Sequence, residues 1–188
     1  MTASVTAAKT TVEDAVEIAV RTRTVAQLFS SFDPSPFREK DLDAGVEEFL
    51  VSWVRELPAG APFAIVVHLP LEEAARPEAA GIGEAFAHYF NDRAQAGRHS
   101  LRELFRIGRR SLAIGLCVLV ACLSASQVLP ALVPNHTVAR VLEESLIIVG
   151  WVANWRPIEI YLYDWLPIRR HIQLYQRLAD APLRVEES

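Results

Sequence analysis

Lysine is nearly missing from this sequence. Only Lys9 and Lys40 stand among 19 basic residues, and arginine supplies the rest. A GC-rich bacterial genome accounts for that bias without any functional demand. Cysteine is as scarce, with Cys117 and Cys122 alone. Five positions apart on a helix, they project about 140° from one another, which disfavours a disulfide or a shared metal and leaves small packing residues. A secretory signal is also lacking, since residues 1–11 hold one lysine and no apolar core. The first hydrophobic segment long enough to engage an insertion machinery comes after residue 110. Everything before it is expected to stay in the cytoplasm.

Catalytic constellations are missing in the same way. The five histidines, His68, His88, His99, His136 and His171, are scattered. His88 and Asp92 share a helix face at i+4, but no third ligand has supporting spacing. Gly81 and Gly83 lack the rest of a dinucleotide fingerprint. No nucleophile, base and orienting group come together by spacing. No cofactor, metal or enzymatic activity is therefore expected, with a membrane-bound enzyme as the third-ranked possibility.

What the sequence does hold is a division between two solvents. Mean hydropathy of +0.18 beside 22% charged residues is odd for one soluble domain. Residues 1–98 carry 15 acidic against 9 basic side chains, whereas residues 99–188 carry 8 against 10 and contain the longest apolar run. An acidic first half argues against a nucleic-acid surface, which needs clustered positive charge.

In the first half, Val16, Ile18 and Val20 alternate with Glu17, Ala19 and Arg21, which predicts a half-buried strand. Residues 32–43 read as an ordered loop. The string over residues 29–43 is dense in Phe, Pro and Asp, and suits a rigid connector packing Phe32 and Phe37 on the sheet, or a partner-binding loop. Asp43 is a plausible N-cap. Val46, Phe49, Leu50, Trp53, Val54 and Leu57 then follow helical spacing. Residues 63–69, a continuous apolar run between prolines, suit a strand buried on both faces. A second helix is expected from Glu78 to Gln95, ended by Gly97. Two strands leave a thin core, so a third is expected from residues 25–29, or from another copy of the chain or a partner.

In the second half, Ser100 and Glu103 match a capping box that would start a new helix. Arg98, Arg102, Arg106 and Arg110 stand at successive i+4 steps with Arg109 beside them. They suit anionic headgroups or an acidic protein surface. Residues 111–133 carry no charge, a length that exceeds a hydrocarbon core of about 30 Å. A weaker apolar segment begins at Val138. It is expected either to return across the bilayer to about Tyr163 or to stop at Trp155 and run along the surface. Trp151, Trp155, Tyr161, Tyr163 and Trp165 make an aromatic belt. Asn154, Arg156, Glu159 and Asp164 are a candidate intramembrane polar site, or an ion-pair group at headgroup level. Arg169 and Arg170 follow, so both termini are expected to be cytoplasmic.

The expected architecture is an α+β or α/β membrane protein, a small cytoplasmic βαβα domain followed by a two-helix transmembrane hairpin. Its divisions are a flexible start (1–11), the α/β domain (12–99), an amphipathic-to-transmembrane helix (100–133), a second transmembrane helix (138–163) and an interfacial tail (164–188). The expected role is a structural, assembly or accessory subunit of a bacterial inner membrane. Its partners would be the lipid bilayer and either further copies of itself or a larger membrane complex, without nucleic acid. The alternative is a small homo-oligomeric channel or transporter.

Overall fold

The computed structural model describes residues 15–30, 41–58 and 60–187. The alternating segment forms β1 (Val16–Arg21), with Ile18 and Val20 buried. A 3-10 turn over Val25–Leu28 follows. Helix α1 (Ala44–Glu56) starts at Asp43, whose carboxylate accepts the Gly45 N–H at 2.9 Å. The continuous apolar run is β2 (Phe63–Leu69), buried at every position but His68. Short helices α2 (Leu71–Ala74) and α3 (Pro77–Ala80) lead into α4 (Ile82–Leu132), 51 residues without a break. Helices α5 (His136–Val152) and α6 (Trp155–Glu159), a π-helical turn (Ile160–Asp164) and α7 (Trp165–Ala179) bring the chain to β3 (Leu183–Glu187).

The three strands form one parallel sheet in the order β1-β2-β3. Val16 stands opposite Phe63 on one side of β2, and Ile65 opposite Leu183 on the other. A strand with partners on both edges, buried on both faces, can be apolar throughout, and β2 is. Phe86 and Phe90 of α4, Leu50 and Val54 of α1, and Leu178 of α7 fill the core beside Ile18, Val67 and Leu69.

Two compact units emerge. One contains the described residues up to Ala94 together with those from Gln173 onward, and holds the sheet; the other is Gln95–Ile172, helices joined by short turns. Helix accounts for 73% of the described residues, which overturns the expected α/β class. The chain is mainly helical with a small sheet.

The two-helix transmembrane hairpin is corrected as well. Among the described residues, one helix, α4, is long and apolar enough to cross a membrane. The second apolar segment does not form a matching helix. Its regular part, α5, stops after 17 residues, about 25 Å and short of a hydrocarbon core. The third strand is also not residues 25–29, which form the 3-10 turn and the single bridge residue Phe29, but β3 from the far end of the chain. The sheet is thus completed by its own chain.

Neither Gly97 nor Ser100 marks a helix boundary. Both lie inside α4, where the Ser100 hydroxyl donates back to the Ala96 carbonyl at 3.2 Å. A Cβ at Gly97 would sit 2.7 Å from Ile172 Cγ1, so that glycine permits a close approach rather than a stop. Of the loop over residues 29–43, Phe29 and Leu42 pair in an antiparallel bridge and close its stem. Phe32 and Phe37 lie outside the described residues.

Ending the chain after Pro182 removes β3 and strips one edge of β2 from Ile65 to Leu69. Lost ladder bonds and lost cover for the strand are expected to lower stability by about 3 kcal/mol. Thermal unfolding and amide exchange of β2 check this; an unchanged midpoint would leave β1 and the helices as the sheet's only support.

Candidate functional site

The helical unit is built on glycine. Gly97, Gly108 and Gly115 are 11 and 7 positions apart on α4, about three turns and about two, so they share a face. A Cβ at Gly108 would lie 3.0 Å from Ile160, and one at Gly115 2.7 Å from Asn154 Oδ1 and 2.9 Å from the Ala153 carbonyl oxygen. Gly150 answers from α5, where a Cβ would meet Leu119 at 2.9 Å. Small residues let helix backbones approach this closely when no water drives them together. The near-integral turn spacing was present in the sequence but passes unnoticed beside the louder charge pattern.

The four expected polar residues separate. Asn154 is buried and its amide donates to the carbonyls of Gly115 and Gly150, at 3.1 and 3.0 Å. It stitches α4 to the broken end of α5. Arg156 instead bridges two carboxylates, Glu159 at 2.9 Å and Asp164 at 3.0 Å, on an exposed surface. The three charges satisfy one another, and Asn154 takes no part. This arrangement holds a helix joint, with the intervening π-turn bringing Asp164 round to Arg156.

The aromatic residues mostly face outward. Trp151, Trp155 and Tyr163 are more than half exposed. Tyr161 stacks on Phe105 with centroids 5.9 Å apart, and Trp165 donates its indole N–H to the Tyr161 carbonyl at 2.9 Å. Arg169 lies over the Trp165 ring at 5.6 Å. No ion pair or hydrogen bond of Arg170 occurs among the described residues.

The arginine stripe lies elsewhere on α4. With about 100° per residue, Arg98, Arg102, Arg106, Arg109 and Arg110 centre roughly 145° from the glycine face, so the close packing does not cover them. Arg106 reaches Glu103 at 3.5 Å. The other four have no such partner among the described residues. His99, Arg102, Glu103, Phe105, Arg106 and Arg109 line an open cleft of about 560 Å³.

Beyond the stripe, the apolar run is bare. Of its most apolar 18 residues only 11% are buried within the chain. Ile114, Leu116, Val120 and Val128 are each more than half exposed. A core helix of a water-soluble protein would be covered, so the run presents a surface that water does not suit.

In the sheet unit a different knot forms. Glu47 of α1 accepts from Tyr89 at 2.7 Å and Arg93 at 3.1 Å, both on α4, and from Tyr175 of α7 at 3.1 Å. Tyr175 also stacks on Phe90. Burial, reinforced by the Glu47 carboxylate, pushes the Tyr175 phenol above its ordinary range. Sequence periodicity places Glu47 on the wet face of α1, and nothing local reveals its three distant donors.

Helix α1 carries one more surface feature. Leu50 and Val54 are buried, while Phe49 and Trp53 remain 39% and 44% exposed, in edge contact at 6.2 Å. The apolar stripe of α1 is wider than the sheet beneath it can cover.

Compared with known proteins, the chain matches no family model, no curated protein and no solved structure.

Gly115→Val would drive a side chain into Asn154 and break both of its hydrogen bonds. The expected cost is about 2–4 kcal/mol, read as a lowered unfolding midpoint in detergent. Ala113→Val, on an exposed position, is expected to change little. If both variants melt alike, the glycine contact does not hold the unit together.

Tyr175 generates a prediction in pH. Its folded pKa is raised, so the folded state keeps a proton that the unfolded state sheds above pH ~10. Its contribution is fully present below that pH and is lost as pH climbs through the folded value. Tyr175→Phe should reduce this alkaline loss while costing about 1 kcal/mol at neutral pH. Denaturant titrations on either side of pH ~10 distinguish the outcomes; an identical alkaline decline in the variant would assign it elsewhere.

Proposed function

We propose that this chain is a membrane-embedded, non-enzymatic assembly or accessory subunit whose sheet unit serves as its docking piece. One observation carries the reading: the exposed Phe49–Trp53 pair, two large aromatic side chains side by side on a helix whose other face belongs to the core. Large apolar rings left in water together are costly, and such pairs commonly anchor protein contacts.

Embedding is supported by the bare apolar length of α4. Arginines immediately before that length support a cytoplasmic side for the sheet unit, and Arg169 and Arg170 agree. Because β1, β2 and β3 share one sheet, the chain is drawn back to the side from which it left. That supports both ends lying in the cytoplasm. The arginine bias fits a bacterial inner membrane. The channel reading receives less support, since Asn154 is engaged in packing and Glu159 and Asp164 are both paired with Arg156.

The full chain, extracted in mild detergent, is expected to run well above its 20.9 kDa protein mass as an oligomer or a stable complex. Phe49→Ala with Trp53→Ala is expected to weaken association at least about tenfold, seen as a shift of native mass toward one copy. A wild-type protein that stays a single, unaccompanied copy would overturn the proposal.

A further inference from the structure

We infer that the arginine cleft of α4 is a binding site for the phosphate headgroup of an anionic phospholipid, held as a specific ligand. The inference rests on the embedding proposed above and deepens it, because generic attraction to a membrane needs only charge.

Here the charge is built into a shape. Arg102, Arg106 and Arg109 line the same open cleft with His99, and Phe105 forms part of its wall. Phe105 is itself braced by the stacked ring of Tyr161. Each arginine offers a planar fork of donors that matches phosphate oxygens. Among the described residues, Arg102 and Arg109 spend those donors on no other group, and Arg106 has only a 3.5 Å contact with Glu103. That weak pair can yield to a phosphate without leaving a buried charge, because both partners are largely exposed.

Position selects a lipid over a soluble phosphate. From Arg110 the chain passes directly into the uncharged part of α4, beginning at Ser111. Leu116 and Val120 follow, exposed on the side of the helix that carries these arginines. A phosphate in the cleft would therefore have an apolar surface beside it, along which acyl chains could lie. A free phosphate ion would leave that surface unused. A net-negative headgroup is favoured over a zwitterionic one, since the cleft has three arginines against one acidic residue, Glu103.

The test uses the full chain in nanodiscs of phosphatidylcholine alone, or mixed equally with phosphatidylglycerol, followed by native mass spectrometry after release. Wild type should retain phosphatidylglycerol preferentially. The triple variant Arg102→Gln, Arg106→Gln, Arg109→Gln should retain on the order of a hundred-fold less. Arg140→Gln, which removes the same kind of charge from α5, should retain it as wild type does.

Equal retention by the triple variant and wild type would overturn the site. So would equal retention of both lipids, or displacement of the lipid by inorganic phosphate at matched concentration, which would assign the cleft to a soluble anion. Carbonate-resistant sedimentation of the same proteins separates the two levels. Loss of wild type to the supernatant would sink the embedding itself, whereas firm insertion without lipid preference would sink only this site.

Discussion

One carboxylate fixes the sheet unit. Glu47 stands on α1, and the donors that converge on it come from α4 and α7, helices separated by the whole intervening stretch of chain. Charge-assisted bonds to a partly buried carboxylate are stronger than neutral ones, and removing their common acceptor would leave two phenols and a guanidinium without it. Because α7 leads directly into β3, holding Tyr175 against Glu47 also sets where the last strand can meet β2. The register of the sheet and the course of two helices thus share a single anchor.

Packing in the helical unit follows a different rule. Much of the apolar length of α4 stays bare, and α5 with its continuation covers only part of it. The contact is close at Gly108, Gly115 and Gly150, with Asn154 supplying directed hydrogen bonds at the point where α5 ends. The break in α5 has a local cause. Asn154 turns inward to two carbonyls, and the chain resumes as short α6, with Pro157 in it and a π-turn after it. An amide committed to a neighbouring helix and a proline three residues later do not extend a regular span.

Much of the local structure was legible from residue order. The alternation at Val16, Ile18 and Val20, the apolar run of β2, the Asp43 cap and the uncharged length after Arg110 each correspond to an element whose cause is local. The fold class was not legible, because its deciding contacts are remote. Residues 183–187 read as a polar tail: Arg184, Glu186 and Glu187 are appropriate to an exposed edge strand, and only pairing with β2 turns them into one. Gly97 has the look of a terminator until Ile172 is seen against it. The sites divide in the same way. Arginine spacing on α4 was visible along the chain, whereas the separation of Asn154 from Arg156, Glu159 and Asp164 depends on which way a broken helix turns.

The place of β3 at the far end of the chain has a consequence for biogenesis. The central strand is synthesised early, yet its second neighbour emerges only after more than a hundred further residues, on the order of ten seconds later at ordinary rates of synthesis. Throughout that interval the most apolar strand in the molecule has an open flank, in the state that invites wrong pairing. Maturation of this protein therefore has an enforced order, in which the sheet is sealed last, and a chaperone that shields β2 would act in the window between.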